Sequence, residues 1–95
     1  MEEPVHEIEC RVSGRVQLVM YRDFVRRQAK RLGLLGFVQN EKDGSVKIVA
    51  EGKETELKKL IELLHKGSFL SRVESVSVAW RSPANSFSDF TISFD

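Results

Sequence analysis

The sequence predicts an α+β fold, a ferredoxin-like open α/β sandwich in which two helices lie on one face of a mixed, mainly antiparallel sheet. Three observations lead there. Two stretches repeat apolar residues at helical spacing, short alternating or apolar runs of strand length lie around them, and together they follow the order β-α-β-β-α-β with an extra C-terminal strand. Such a split βαβ pair satisfies the right-handed crossover rule with both helices on one face. The opposite face is expected to be less covered.

Residues 7–13 alternate, with Ile8, Cys10 and Val12 facing one way and Glu7, Glu9, Arg11 and Ser13 the other, so they form the first strand with His6 lying before it. Residues 14–21 then form an eight-residue connection. Phe24, Val25, Gln28, Ala29 and Leu32 fall at helical spacing, Arg26, Arg27, Lys30 and Arg31 fill the solvent positions, and Gly33 supplies the stop. Residues 35–40 and 45–51 flank the turn residues Lys42, Asp43 and Gly44, with Val46, Ile48 and Ala50 on one side, which reads as a hairpin. Leu57, Leu60, Ile61 and Leu64 mark a second amphipathic helix ending near Lys66 and Gly67. Two more strands follow: Val76, Val78 and Trp80 alternate with Ser75, Ser77 and Ala79, and beyond Pro83 so do Phe90, Ile92 and Phe94 with polar residues.

At 95 residues, with prolines and glycines scattered singly, the chain reads as one domain spanning residues 1–95 and as a monomer. The single Cys10 cannot close an intramolecular disulfide, and no Cys/His cluster has zinc spacing, so a cytoplasmic protein without metal or cofactor is expected. No signal peptide or membrane span is predicted. Fifteen Lys and Arg against 14 Asp and Glu leave a net charge of +1, so any attraction for anions must be local.

The segment Gly14-Arg15-Val16-Gln17-Leu18-Val19-Met20-Tyr21-Arg22 carries the most chemistry. It brings main-chain N–H groups to a helix N-terminus, where unpaired donors and the macrodipole favour an anion, and Arg22 opens the helix with a planar guanidinium. A phosphate suits such a place. The plainer alternative is a connecting loop with a surface arginine, for the spacing matches neither a Walker motif nor a dinucleotide fingerprint.

This segment resembles the signature of the acylphosphatases, Gly-x-Val-Gln-Gly-Val-x-Phe/Tyr-Arg, with Gly14, Val16, Gln17, Val19, Tyr21 and Arg22 in register. Residues 32–40 resemble the family's second block, which leads to its asparagine, here Asn40, and residues 43–52 resemble the hairpin that follows. The resemblance implies a hydrolase that splits an acyl phosphate into a carboxylate and inorganic phosphate without a metal. It implies that the amides of Arg15, Val16, Gln17, Leu18, Val19, Met20 and Tyr21, with the Arg22 guanidinium, hold the phosphoryl oxygens, while Asn40 orients the attacking water. A neutral amide cannot take the water's proton, so the substrate's own phosphate oxygen is expected to accept it. Leu18 departs from the pattern, standing where the family has its second glycine. At positive φ a leucine there costs about 1 to 2 kcal/mol and weakens phosphate binding, and at negative φ the change is silent. The alternative is a catalytically weakened module of the same fold that binds an anion or a protein partner.

Other features have simpler readings. The stripe of Arg22, Arg26 and Lys30, with Arg27 and Arg31 beside it, is the solvated face of a helix, with Arg22 set apart by its place in the first turn. The outer positions Glu7, Glu9, Arg11 and Ser13, with Ser45, Lys47, Val49 and Glu51, lack the aromatic platforms of an RNA-binding sheet and include carboxylates that repel phosphate, so no nucleic acid is expected. His6 and His65 have no second ligand at metal spacing. Cys10 is expected in the core as a small hydrophobe.

Overall fold

The computed structural model describes residues 3–17 and 20–94. They form β1 (Val5–Arg15), α1 (Tyr21–Arg31), β2 (Leu35–Asn40), β3 (Val46–Lys53), α2 (Glu54–Lys66), β4 (Arg72–Arg81) and β5 (Phe90–Ser93). The strands make one sheet in the order β4-β1-β3-β2-β5. All neighbours are antiparallel except β2 and β5, which run parallel. This is the expected ferredoxin-like α+β arrangement.

The alternation expected for residues 7–13 does place Ile8, Cys10 and Val12 in the core, joined there by Val46, Ile48 and Ala50 of β3 and Val38 of β2. Against them pack Val25 and Ala29 of α1 and Leu57, Leu60 and Leu64 of α2, so both helices cover the same face. Helix α1 stops at a Schellman motif: Leu34 N–H donates to the Ala29 carbonyl at 2.9 Å and Gly33 N–H to that of Lys30 at 3.0 Å. Gly33 takes φ 73°, the left-handed turn that the motif needs.

Topology gathers several loops at one end of the sheet. Strands β1, β2 and β5 all finish there, β4 begins there, and α1 starts where α2 ends. The Tyr21 hydroxyl, donating to the Leu64 carbonyl at 2.9 Å, ties the two helix ends together.

Four expectations need correction. The connection into α1 is five residues, 16–20, because β1 continues through Gly14 and Arg15 past a bulge and Tyr21 rather than Arg22 begins the helix. Gly14 serves that bulge, at φ 122°, since a Cβ would run into the Arg72 carbonyl of β4. His6 lies inside β1, edge-on to Trp80 and 3.5 Å from Glu54, and so belongs to the end of the sheet far from the loop. Phe94 lies beyond β5 and is 80% exposed, because the strand ends at Ser93.

The outer face is the largest correction. Residues 82–89 connect β4 on one edge to β5 on the other and must therefore cross it, which buries Glu7, Val49 and Glu51, while Ser45 at the other end is buried beside the β2–β3 turn. Glu7 and Glu51 sit opposite each other in register. Their charges are met by donors: Arg81 Nε reaches Glu7 at 2.5 Å, Ala84 N–H donates to Glu7 at 3.1 Å and Asn85 N–H to Glu51 at 2.9 Å. Arg81 also holds Glu9 at 2.9 Å, and its bond to Glu7, then that to Glu9, raises its own pKa. Buried carboxylates are tolerated only with such donors.

Burial, helped by the Glu9 charge beside it, pushes the Cys10 thiol up to about 12 from an ordinary 9.0. In the unfolded chain the thiol ionises near pH 9, while the folded one keeps its proton until about 12, so stability is lost as pH rises through that window. Urea unfolding at several pH values should show the wild type losing stability more steeply there than Cys10→Val, by up to about 1.4 kcal/mol per pH unit.

Candidate active site

At the loop end of the sheet lies a concavity of about 380 Å³ lined by Val16, Gln17, Met20, Tyr21, Arg22 and Asp23, with Ile92 and Phe94 of the C-terminal strand region on its other side. Five of the residues singled out in the sequence therefore meet here. The side chains of Val16 and Tyr21 point into the core, and the Tyr21 hydroxyl is already committed to Leu64, so these two can offer only their amides. Burial also raises the Tyr21 phenol above its ordinary pKa and keeps it neutral. Arg15 does not line the concavity; it ends β1, exposed and opposite Arg72. Leu18 and Val19 lie outside the described residues, and with them the question of how a leucine is held in the loop.

Met20 is the N-cap of α1 and takes φ 60° and ψ 23°, left-handed for a residue with a side chain, and gives no side-chain cap. The first intrahelical bond runs from Phe24 N–H to the Met20 carbonyl at 3.1 Å. The N–H groups of Tyr21, Arg22 and Asp23 precede it in the first turn and have no partner within the helix, at the positive end of its dipole. Arg22 sits in this first turn with its guanidinium 5.0 Å from the Phe94 ring centroid. Among the described residues no carboxylate pairs with it. Asp23, the one acid at the concavity among the described residues, is paired with Arg27 at 2.9 Å one turn on. Positive potential thus outweighs negative here, although the chain as a whole is almost neutral.

Gln17 joins this loop to the hairpin. Its Nε2 donates to the Glu41 carbonyl at 2.9 Å and to the Ser45 carbonyl at 2.8 Å, which uses both amide hydrogens. Those carbonyls flank the turn between β2 and β3, itself pinned by Asp43, whose carboxylate takes bonds from the Ser45 hydroxyl and N–H and is held below its usual pKa mainly by them. Asn40 is next to Glu41, pairs in register with Val46 and shares the helix-facing side of β2 with Val38. It is not among the residues lining the concavity. Its Oδ1 is buried and meets no donor among the described residues, a state that costs about 1 to 3 kcal/mol if nothing relieves it. The clamp made by Gln17 escaped sequence reasoning, which assigned that residue only an amide in the loop.

Two of the five cations of the basic stripe are answered by acids: Arg27 by Asp23, and Lys30 by Asp89 at 3.5 Å. The Phe90 N–H and then the Lys30 charge hold Asp89 below its usual pKa. Among the described residues no group of His, Cys, Asp or Glu is placed to share a metal, and no helix is long and apolar enough to cross a membrane.

Fold and site together define an α/β sandwich with a concavity at the mouth of its first helix where positive potential prevails. A family model described as Acylphosphatase matches residues 8–92. A curated acylphosphatase of Salinibacter ruber is 46% identical over 85 residues, covering 90% of either chain. Among solved structures, acylphosphatase from Bacillus subtilis superposes with a TM-score of 0.90 at 36% identity, covering 93% of this chain and 98% of that one. The acylphosphatase of Coxiella burnetii does so with 0.87 at 34%, covering 94% and 93%. The chain belongs to the acylphosphatase family.

Removing the Gln17 clamp frees the loop from the hairpin and leaves two carbonyls without their donor. Gln17→Ala is expected to lower stability by about 1 to 2 kcal/mol in urea unfolding and to lower kcat/KM for an acyl phosphate at least about tenfold.

Proposed function

We propose that this acylphosphatase hydrolyses acyl phosphates by binding the phosphoryl group in the concavity at the start of α1 and letting the substrate accept the proton of the attacking water. The observation that carries the reading is the convergence on one space of first-turn helix amides and the Arg22 guanidinium, with which no carboxylate among the described residues pairs. Three phosphoryl oxygens carry the charge that grows as the P–O bond loosens, so fixed donors aimed at them lower the barrier without covalent chemistry. The amides from Val16 to Tyr21 supply part of this, Leu18 and Val19 included, and Arg22 supplies a bidentate charge.

Asn40 orients the water. Its unanswered Oδ1 accepts a water O–H once the side chain turns about χ2, which is a broad torsion, and this also relieves the buried acceptor. The water oxygen attacks phosphorus while the bond to the acyl oxygen breaks, and both water protons finish on phosphate. A substrate dianion and water become a carboxylate and dihydrogen phosphate, with charge and atoms balanced. The carboxylate is a weak base and leaves without a strong acid to protonate it. Nothing in the step needs a titratable side chain as base, and no cofactor enters.

The reading takes residues 1–95 as one monomeric unit acting on a small molecule and not on nucleic acid. The closure of the outer face over Glu7 and Glu51 supports it. The unpaired, buried Cys10 suits a reducing compartment, the cytoplasm.

Steady-state hydrolysis of benzoyl phosphate tests the residue roles. Arg22→Ala and Asn40→Ala should each lower kcat/KM by at least about a hundredfold, the range for losing one transition-state donor or the group that orients the nucleophile. Activity retained in both would remove the mechanism.

A further inference from the structure

Beside the anion concavity runs a second groove, of about 330 Å³, between the first turns of α1 and the 67–71 connection from α2 to β4. Apolar side chains dominate it: Met20 and Phe24 from the α1 side, Phe69 and Leu70 from the connection. Three of these are strongly exposed, Met20 at 73%, Leu70 at 62% and Phe69 at 99%, which is expensive in water unless something covers them. The remaining charge in the groove belongs to Arg27, and its guanidinium is held by Asp23 at 2.9 Å, so Arg27 presents mainly its aliphatic stem.

We infer that this groove receives the acyl group of the substrate and selects uncharged, apolar acyl chains, aromatic ones above all. The inference rests on the acyl-phosphate reading of the neighbouring concavity. Met20 lines both spaces, so they adjoin across its side chain, and the acyl carbon is only one bridging oxygen away from the phosphorus. An acyl tail leaving the anion site therefore passes over Met20 and meets Phe69 and Leu70. The other apolar wall of the concavity is less available, because the Phe94 ring is already occupied by the Arg22 guanidinium at 5.0 Å. An acyl chain ending in its own carboxylate or phosphate finds no unpaired cation in the groove and loses hydration on entering it.

Acetyl phosphate, too short to fill the groove, and benzoyl phosphate, long enough to reach it, separate binding of the tail from chemistry at phosphorus. Wild type should show the higher kcat/KM for benzoyl phosphate. The double variant Phe69→Ser, Leu70→Ser should lose about tenfold on benzoyl phosphate and stay within about twofold on acetyl phosphate, whereas Phe69→Leu should keep most of the preference. Both side chains are exposed, so folding is not at risk, and the acetyl phosphate rate checks it in the same assay. A ratio that does not change in the double variant, a loss equal on both substrates, or a preference abolished by Phe94→Ala instead overturns the groove assignment while leaving the hydrolase reading intact. A wild-type chain that hydrolyses neither substrate overturns the hydrolase reading, and the groove assignment falls with it.

Discussion

One side-chain amide holds the site together. Gln17 follows the first strand at the start of a five-residue loop, and its two amide hydrogens go to carbonyls on either side of the β2–β3 turn. A primary amide has only two such hydrogens, so the group is fully used and its position is set. The start of the loop is thereby fastened to the end of β2, one residue from Asn40. Core packing holds α1 against β2, and this link fixes the loop's own position relative to the hairpin beside Asn40.

The sheet divides the labour between its faces. On the helix face the cores of β1, β2 and β3 meet α1 and α2, and at one end of that face the loop, the hairpin, the α2–β4 connection and Phe94 come together. On the outer face the 82–89 crossing is anchored by two carboxylates, Glu7 and Glu51, through main-chain N–H groups and Arg81. Among the described residues two with side chains take a left-handed backbone: Asn85 in the outer crossing, a type that tolerates it, and Met20, which turns the chain into α1 and stands between the concavity and the apolar groove. Such a conformation in a residue with a side chain persists only where its surroundings enforce it.

Much of this could be read from residue order. Periodicity located all seven elements, the limits of β2 were the expected 35–40, and Gly33 ended α1 as expected. What periodicity cannot tell is what covers a face. Glu7 and Glu51 occupy the polar positions of their strands and looked solvated, yet a long connection between opposite edges of the sheet had to pass over them. The length of the loop was misjudged for a related reason, since a bulge at Gly14 lets β1 run two residues further than simple alternation allows. In the site, the signature brought Gln17, Met20, Tyr21 and Arg22 to one place, but their individual roles depend on partners distant in sequence. Tyr21 is bonded 43 residues away and Gln17 across 24 and 28, and local pattern carries no trace of such pairs.

The central claim is that main-chain amides at the mouth of α1, joined by Arg22, form the place where a phosphoryl group is held. Titration of the 15N-labelled protein with inorganic phosphate, followed by amide NMR, addresses it most directly. The account predicts saturable shifts concentrated on the backbone amides of residues 16–22 and on the Arg22 Nε–H, disappearing in Arg22→Ala. Shifts spread over the basic face of α1 at Arg26, Lys30 and Arg31, with the loop amides unmoved, would contradict it.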